Sequence, residues 1–129
     1  WPIARFVALS LALETDGHRI VWIRGPAEDS FPSAARGFGI LDRASLTDLA
    51  RALASARLFV GNDSGVSHLA AAVGAPTLAI FGPTPEPVWR PDGSLVKTVQ
   101  SPSGRLDDVQ VQAVLEASQK LAGLDELRT

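Results

Sequence analysis

The sequence predicts a doubly wound α/β domain, in which parallel strands form a sheet with helices on both of its faces. Two apolar runs, residues 58–60 and 77–81, have the β-branched and aromatic content of buried strands. Residues 64–73 between them are small and apolar after a polar start, which is typical of a tightly packed helix. A strand, a helix and a strand within about thirty residues form a βαβ unit, and that crossover makes its strands parallel.

The first part of the chain predicts a helix followed by a strand. Phe6, Leu9 and Leu13 lie three and four residues apart, so they share one face of a helix. An Asp-Gly pair at residues 16–17 ends this helix. The continuous apolar run that follows predicts a strand over residues 18–23.

The next part predicts a loop, a short strand and a helix. Residues 29–37 contain a proline and are too few for a stable helix, so a loop with one helical turn at most is expected. Residues 38–41 predict a short strand. Ser45 and Asp48 resemble a capping box, which favours a helix over residues 45–56.

After the central βαβ unit, the sequence predicts a stiff loop, an edge strand and a closing helix. Four prolines stiffen residues 82–93, which also hold Trp89. Residues 95–99 alternate weakly and predict an edge strand, and residues 101–104 predict a turn. An apolar stripe over residues 111–122 predicts the last helix.

The composition and the net charge exclude some classes of function. The chain has 129 residues with 46% apolar and 20% charged content, which fits one folded domain. A net charge of −2 without a basic run argues against nucleic-acid binding. The sequence holds no apolar run long enough to span a membrane, and a cytoplasmic location is expected, with peripheral contact at the inner membrane left open.

Two residue types are absent from the chain. The lack of cysteine excludes disulfides, thiolate chemistry and cysteine-based zinc sites. The lack of methionine means that Trp1 is not a translational start, so we expect the chain to be part of a longer protein.

The turn over residues 61–65 is the candidate site. It follows the strand at residues 58–60, and ligands bind at the carboxyl ends of strands in open parallel sheets. The helix that it opens presents free backbone N–H groups and a partial positive charge of roughly half an electron. That combination suits a phosphate or a diphosphate.

In this turn and in the segments around it, the chain resembles the family-9 glycosyltransferases, the heptosyltransferases that use ADP-heptose to build the lipopolysaccharide core. The matching residues are Asp63-Ser64-Gly65, His68-Leu69-Ala70-Ala71-Ala72, Phe81-Gly82-Pro83-Thr84, Trp1-Pro2, Gly25-Pro26-Ala27-Glu28 and Trp89-Arg90-Pro91. The resemblance implies a Rossmann-like domain that forms one half of a GT-B fold. Residues 1–129 would be the C-terminal donor-binding domain, and the N-terminal acceptor domain would be absent from this chain.

The resemblance also implies which residues bind a nucleotide-diphosphate-sugar. Backbone amides of Ser64, Gly65 and Val66 would hold the diphosphate, and Glu28 would bind the nucleotide ribose. The motif at residues 82–84, which consists of Gly82, Pro83 and Thr84, would also lie at the donor. The catalytic base of the family sits in the other half, so no catalytic residue is expected here. Transfer would be metal-independent and would invert the anomeric carbon.

Several residues of the turn and of the helix after it keep more than one interpretation. Asp63 cannot simply face a phosphate, because a carboxylate about 4 Å away costs roughly 4 kcal/mol at an effective dielectric of 20; it either caps the helix or contacts sugar hydroxyls. Ser64 either caps the helix or donates to phosphate. Gly65 either allows close approach or an unusual dihedral, or is a packing residue. His68 is a structural hydrogen-bonding group, a donor-site contact or a catalyst.

Two residues that follow the strand at residues 18–23, and Trp89 in the proline-rich loop, also have alternative interpretations. Glu28 is either a ribose ligand, as acidic residues are at strand ends in dinucleotide-binding folds, or a solvated acid. Arg24 is either a cation near the phosphates or, as the more favoured interpretation, a surface cation. The role of Trp89 is left open between a wall of the acceptor side and a support for the proline-rich loop.

Other chemistries fit less well. A serine nucleophile elbow requires Gly-x-Ser-x-Gly, which neither Ser64 nor Ser67 satisfies. The sequence has no Asp-x-Asp pair and no histidine cluster, so a metal-chelated diphosphate is not supported. The rival functions are a non-catalytic nucleotide-binding or protein-interaction module of the same fold, and another two-lobed nucleotide-sugar enzyme such as an epimerase.

Overall fold

The structure is a computed structural model, and it describes residues 1–24, 37–62, 64–83 and 95–128, with side chains described as far as residue 123. Helices and strands alternate along the chain as expected. In order they are α1 (Ile3–Thr15), β1 (Val21–Arg24), β2 (Gly39–Asp42), α2 (Leu46–Ala54), β3 (Phe59–Asn62), α3 (Gly65–Ala72), β4 (Thr77–Phe81), β5 (Val96–Gln100), a 3₁₀ turn (Leu106–Asp108) and α4 (Val111–Arg128).

All the described strands pair in parallel. β1 pairs with β2, and β4 lies between β3 and β5 in a three-stranded ladder. β4 is buried along its whole length, as expected for a central strand that is covered on both faces. The predicted parallel α/β fold is therefore confirmed, although the hydrogen bonds of the described residues group the strands into two ladders.

Two apolar clusters cover opposite faces of the three-stranded ladder. Leu78 and Ile80 of β4 pack with α1 and α4, in a cluster that includes Leu9 and Leu13. Phe59 of β3 packs on the other side with α2 and α3. Because successive side chains of a strand point to opposite faces, this division gives helices on both faces, as predicted.

The N-terminus of α2 and the C-terminus of α3 follow the expected local chemistry. The Ser45 hydroxyl accepts the Asp48 N–H at 3.1 Å, so Ser45 caps α2 as predicted. The Gly74 and Ala75 N–H groups donate back to Ala71 and Ala70, which is a Schellman motif that ends α3.

A Schellman motif at the end of α1 also explains why β1 begins later than predicted. Gly17 has a φ of +97°, and the His18 N–H donates to the Leu13 carbonyl at 3.1 Å. His18 is therefore part of the cap of α1 and cannot begin a strand. For that reason β1 begins at Val21, later than the predicted start at residue 18.

Other predicted segments differ or fall outside the described residues. The strand over 77–81 is confirmed at both ends, while β5 begins and ends one residue later than expected. The 3₁₀ turn at Leu106–Asp108 was not predicted. Most of the expected loops over 29–37 and 82–93 lies outside the described residues. No helix in the described part of the chain is long and apolar enough to cross a membrane.

Gly74→Ala is expected to lower the free energy of unfolding by about 1–2 kcal/mol, because Gly74 has a φ of +86° and alanine is strained there. Within the part of the chain that the structure describes, no atom lies within 4 Å of the position where its Cβ would stand, so we attribute the loss to the dihedral angle. Urea denaturation followed by circular dichroism measures the change.

Gly123→Ala is the matched control. Its Cβ also meets no atom within 4 Å, but Gly123 lies inside α4 with an ordinary φ. We expect this variant to be more stable by about 0.5–1 kcal/mol, since alanine favours a helix. Equal changes in the two variants would contradict the assignment of the strain to residue 74.

Candidate functional site

The carboxyl ends of β3, β4 and β5 meet at one edge of the three-stranded ladder. Asn62 ends β3 and pairs with Ile80 of β4, and Phe81 pairs with Gln100 at the end of β5. Helix α3 begins at Gly65, directly after β3. The turn and the strand ends named in the sequence analysis thus lie at the edge where ligands bind in parallel α/β sheets.

The first turn of α3 presents backbone N–H groups at this edge. The first intrahelical hydrogen bond runs from the His68 N–H to the Ser64 carbonyl at 3.3 Å. The N–H groups of residues 65–67 precede it and have no partner within the helix. Ser64 and Gly65 are exposed. This end of the helix also carries the positive pole of its dipole, so an anion is favoured there.

Ser64 occupies the N-cap position with extended backbone, at φ −158° and ψ 169°. Its side chain makes no cap hydrogen bond, so the capping interpretation of Ser64 is wrong for this structure. A contact from its hydroxyl to phosphate stays a prediction. Asp63 lies outside the described residues, and both of its interpretations stay predictions.

Gly65 has open space around it. No atom of the described residues lies within 4 Å of the position where its Cβ would stand, so the described part of the chain gives no support to the packing interpretation. Its φ is not positive, so the expectation of an unusual dihedral is wrong as well. Close approach of a ligand to the backbone stays a prediction, and it fits a residue at the exposed start of a helix.

Two other predicted donor residues lie on the same helix. Val66 is half-buried and packs in the cluster formed with α2, so its side chain is structural while its N–H belongs to the first turn. The His68 side chain is exposed on that turn. It is therefore accessible to a ligand, and its role as a donor contact stays a prediction.

The turn between β3 and α3 is fixed by Ser67, a residue that the sequence analysis did not place in the site. The Ser67 side chain is fully buried, and its hydroxyl donates to the Asn62 carbonyl at 2.6 Å. The signal that could have identified it is a small polar residue at a helix position otherwise surrounded by apolar ones.

Asn62 is also hydrogen-bonded to Trp1, which in turn contacts the segment around Val109. Its Oδ1 accepts a hydrogen bond from the Trp1 backbone nitrogen at 2.8 Å. The Trp1 indole Nε1 donates to the Val109 carbonyl at 2.9 Å, and an Arg5 Nη1 donates to the same carbonyl at 2.6 Å.

The end of β4 is shaped by packing against the 3₁₀ turn. A Cβ at Gly82 would stand 2.7 Å from the Leu106 Cγ and 3.2 Å from the Leu106 nitrogen. Gln100 Nε2 donates to the Gly82 carbonyl at 2.9 Å. Gly82 thus has a structural reason to be glycine, whatever its part in donor binding. Pro83 beside it is exposed, and Thr84 lies outside the described residues.

Arg24 is engaged by a carboxylate. Its Nε and Nη2 donate to the two carboxylate oxygens of Asp42 at 2.7 and 3.2 Å, and its side chain is only 18% exposed. Because Arg24 and Asp42 are register partners at the ends of β1 and β2, the pair joins the two strands. Arg24 is thus a partly exposed cation whose charge is largely balanced by Asp42, and a contact from it to phosphate stays a prediction. Glu28 and Trp89 lie outside the described residues.

Among the residues that the structure describes, no three His, Cys, Asp or Glu side chains are grouped closely enough to hold a metal ion. Every buried side-chain nitrogen or oxygen in that part of the chain has a hydrogen-bond partner. The helix terminus and its backbone amides are the features of the described site that favour an anion.

A parallel α/β domain with an open helix terminus at the strand edge defines a class of phosphate-binding domains. The model of glycosyltransferase family 9 (heptosyltransferase) matches residues 1–118, and the chain belongs to this family. Lipopolysaccharide heptosyltransferase 1 of Escherichia coli K12 is 33% identical over 121 residues, which are 90% of this chain and 38% of that protein. Lipopolysaccharide heptosyltransferase 1 of Pseudomonas aeruginosa is 53% identical over 89 residues, which are 65% and 25% of the two chains.

The fold is similar to that of solved heptosyltransferases. E. coli heptosyltransferase WaaC with ADP superposes with a TM-score of 0.83 at 28% identity, over 94% of this chain and 39% of that one. E. coli ADP-heptose LPS heptosyltransferase II shares the fold with a TM-score of 0.82 at 23% identity, over 98% and 43%. The chain thus spans less than half the length of the relatives that it matches.

Gly82→Ala is expected to lower the free energy of unfolding by about 1–3 kcal/mol, because the added methyl group overlaps the Leu106 side chain. Thermal or urea denaturation of the purified chain measures the loss. Gly65→Ala, where the Cβ has open space, is the control and should show no loss.

The double variant Gly82→Ala/Leu106→Ala identifies the cause. The penalty of the alanine at residue 82 should shrink when the Leu106 Cγ is removed, since that atom makes the closest contact. A penalty of the same size in both backgrounds would show that Leu106 is not responsible.

Proposed function

We propose that this chain is the donor-binding domain of a GT-B glycosyltransferase that resembles the heptosyltransferases. The whole enzyme would transfer a sugar from a nucleotide-diphosphate-sugar, with ADP-heptose as the favoured donor, to a saccharide acceptor of the lipopolysaccharide type. An N-terminal acceptor domain outside this chain and a cytoplasmic location, with peripheral contact at the inner membrane, belong to the same proposal.

The supporting observation is the open N-terminus of α3 at the strand edge. Ser64 and Gly65 are exposed there, and the Gly65 Cα faces open space. The chain carries this feature in a fold that superposes on a heptosyltransferase solved with ADP. A second structure of that heptosyltransferase, with ADP-2-deoxy-2-fluoro heptose, superposes with a TM-score of 0.78 at 29% identity. Both of those ligands carry an adenosine diphosphate group, which is the kind of anion that a helix terminus suits.

In this proposal, the chain assists the transfer by stabilising the negative charge that develops on the leaving diphosphate. In the transfer, the bond between the anomeric carbon and the diphosphate oxygen breaks, and its electron pair leaves with the diphosphate. The acceptor oxygen bonds to the anomeric carbon on the opposite face, with inversion, and its proton passes to a base outside this chain. The N–H groups of residues 65–67 and the helix dipole stabilise the developing charge, because they are oriented before the reaction begins.

The remaining predicted residues have defined places in this proposal. The exposed His68 and Pro83 border the diphosphate. Asp63 contacts sugar hydroxyls, Glu28 binds the ribose, and Gly82 and Thr84 belong to the adjacent turn. No metal ion takes part, since amides and the helix terminus supply the positive potential.

Gly65→Leu tests the placement of the diphosphate. The wild-type chain should bind ADP more tightly than adenosine in calorimetric titration, because the phosphates carry the charge. A leucine at residue 65 would occupy the open space in which we propose that the diphosphate binds. It should therefore weaken ADP binding about tenfold or more, a loss of about 1.4 kcal/mol or more in binding free energy. Folding should be unaffected, since no atom of the described residues lies within 4 Å of the new Cβ, and the circular dichroism spectrum of the variant checks this.

Ala72→Leu is the matched control, because Ala72 is exposed at the opposite end of the same helix. It should leave ADP affinity unchanged. A folded wild-type chain that binds neither ADP nor an ADP-sugar would refute the proposal, and so would equal affinities for ADP in the wild-type and Gly65→Leu chains.

A further inference from the structure

The hydroxyl of Ser67 joins two secondary-structure elements at the site. It donates to the Asn62 carbonyl at 2.6 Å, so it connects the first turn of α3 to the last residue of β3. Asn62 itself is held in place, because it pairs with the fully buried Ile80 and accepts a hydrogen bond from Trp1. The helix terminus is therefore anchored to a fixed part of the sheet.

Two other buried serines show what is particular about this contact. Ser10 donates to Phe6 at 2.8 Å, and Ser118 donates to Val114 at 2.7 Å. Each of these hydroxyls bonds the carbonyl four residues earlier in its own helix, which is the usual arrangement for a helical serine. Ser67 reaches five residues back to a carbonyl outside its helix. Its hydrogen bond therefore fixes the helix relative to the strand.

The orientation of the helix terminus matters because hydrogen bonds weaken as donor and acceptor lose alignment. Only residues 63 and 64 separate β3 from α3, and the Ser64 side chain makes no cap hydrogen bond. The Ser67 hydroxyl is thus a direct link that sets where the N–H groups of Gly65 and Val66 point.

We propose that Ser67 is a positioning residue for the diphosphate, whose buried hydroxyl aligns the amides of the α3 terminus with the ligand. The proposal rests on the proposed function of the site as a diphosphate-binding site. Ser67 acts through the orientation of the helix, and its side chain, which is fully buried, does not contact the ligand.

Ser67→Ala tests this role through the difference between two ligands. The variant should bind ADP about threefold to tenfold more weakly, the equivalent of one lost hydrogen bond, because the amides are less well aligned. Binding of adenosine, which has no phosphates, should be unchanged. Calorimetric titration of the 129-residue chain with both ligands gives the two affinities.

Ser118→Ala is the matched control, since Ser118 is equally buried and makes one hydrogen bond of similar length away from the site. In urea denaturation, Ser118→Ala should lose about as much free energy of unfolding as Ser67→Ala does. It should nevertheless keep the ADP affinity of the wild-type chain. Ser67→Cys keeps a donor at this position, although the thiol is larger and donates more weakly, and its ADP affinity should lie between those of wild type and Ser67→Ala. It also provides a measurement if the alanine variant does not fold.

The outcomes separate the two proposals. A wild-type chain that binds no ADP overturns the proposed function and the role of Ser67 with it. If the wild-type chain binds ADP, the function stands. An equal loss of ADP and adenosine binding in Ser67→Ala, or an equal loss of ADP binding in Ser118→Ala, would then show that Ser67 contributes to stability alone.

Discussion

The parallel pairing of β3, β4 and β5 is the constraint on which the site depends. Because the three strands run in the same direction, their carboxyl ends lie at one edge. β4 is buried along its length and carries a partner on each side, so it fixes the register of the other two. The start of α3 and the Gly82 turn become neighbours only because of this pairing. A change of register by one residue would move every side chain of a strand to the other face.

The strand arrangement and the site depend on different kinds of signal in the sequence. Strand β4 was predictable to the residue, because its apolar run is continuous and sits between a glycine-containing cap and a Gly-Pro turn. The cap of α2 was predictable for a similar reason, since Ser45 and Asp48 act within four residues. Local chemistry of this kind is visible in a linear sequence.

What the sequence could not predict depends on long-range contacts. The pairing of Arg24 with Asp42 follows from strand register, which the sequence does not contain. The need for glycine at residue 82 comes from Leu106, more than twenty residues later in the chain. Ser67 looked like a failed nucleophile, because the direction of a buried hydroxyl is known only once the helix is packed. The candidate site was therefore located from the motif, while its supporting contacts required the fold.

The contacts of Trp1 and Arg5 with Val109 have a consequence for how the chain acquires its structure. These hydrogen bonds join residues that are 108 and 104 positions apart. During synthesis on a ribosome, α1 is made long before the segment around Val109 with which it pairs. Loop closure over such a separation slows folding, since the entropy of the intervening chain is lost before these contacts form. The packing of α1 therefore has to wait for the synthesis of residues near the other side of the domain.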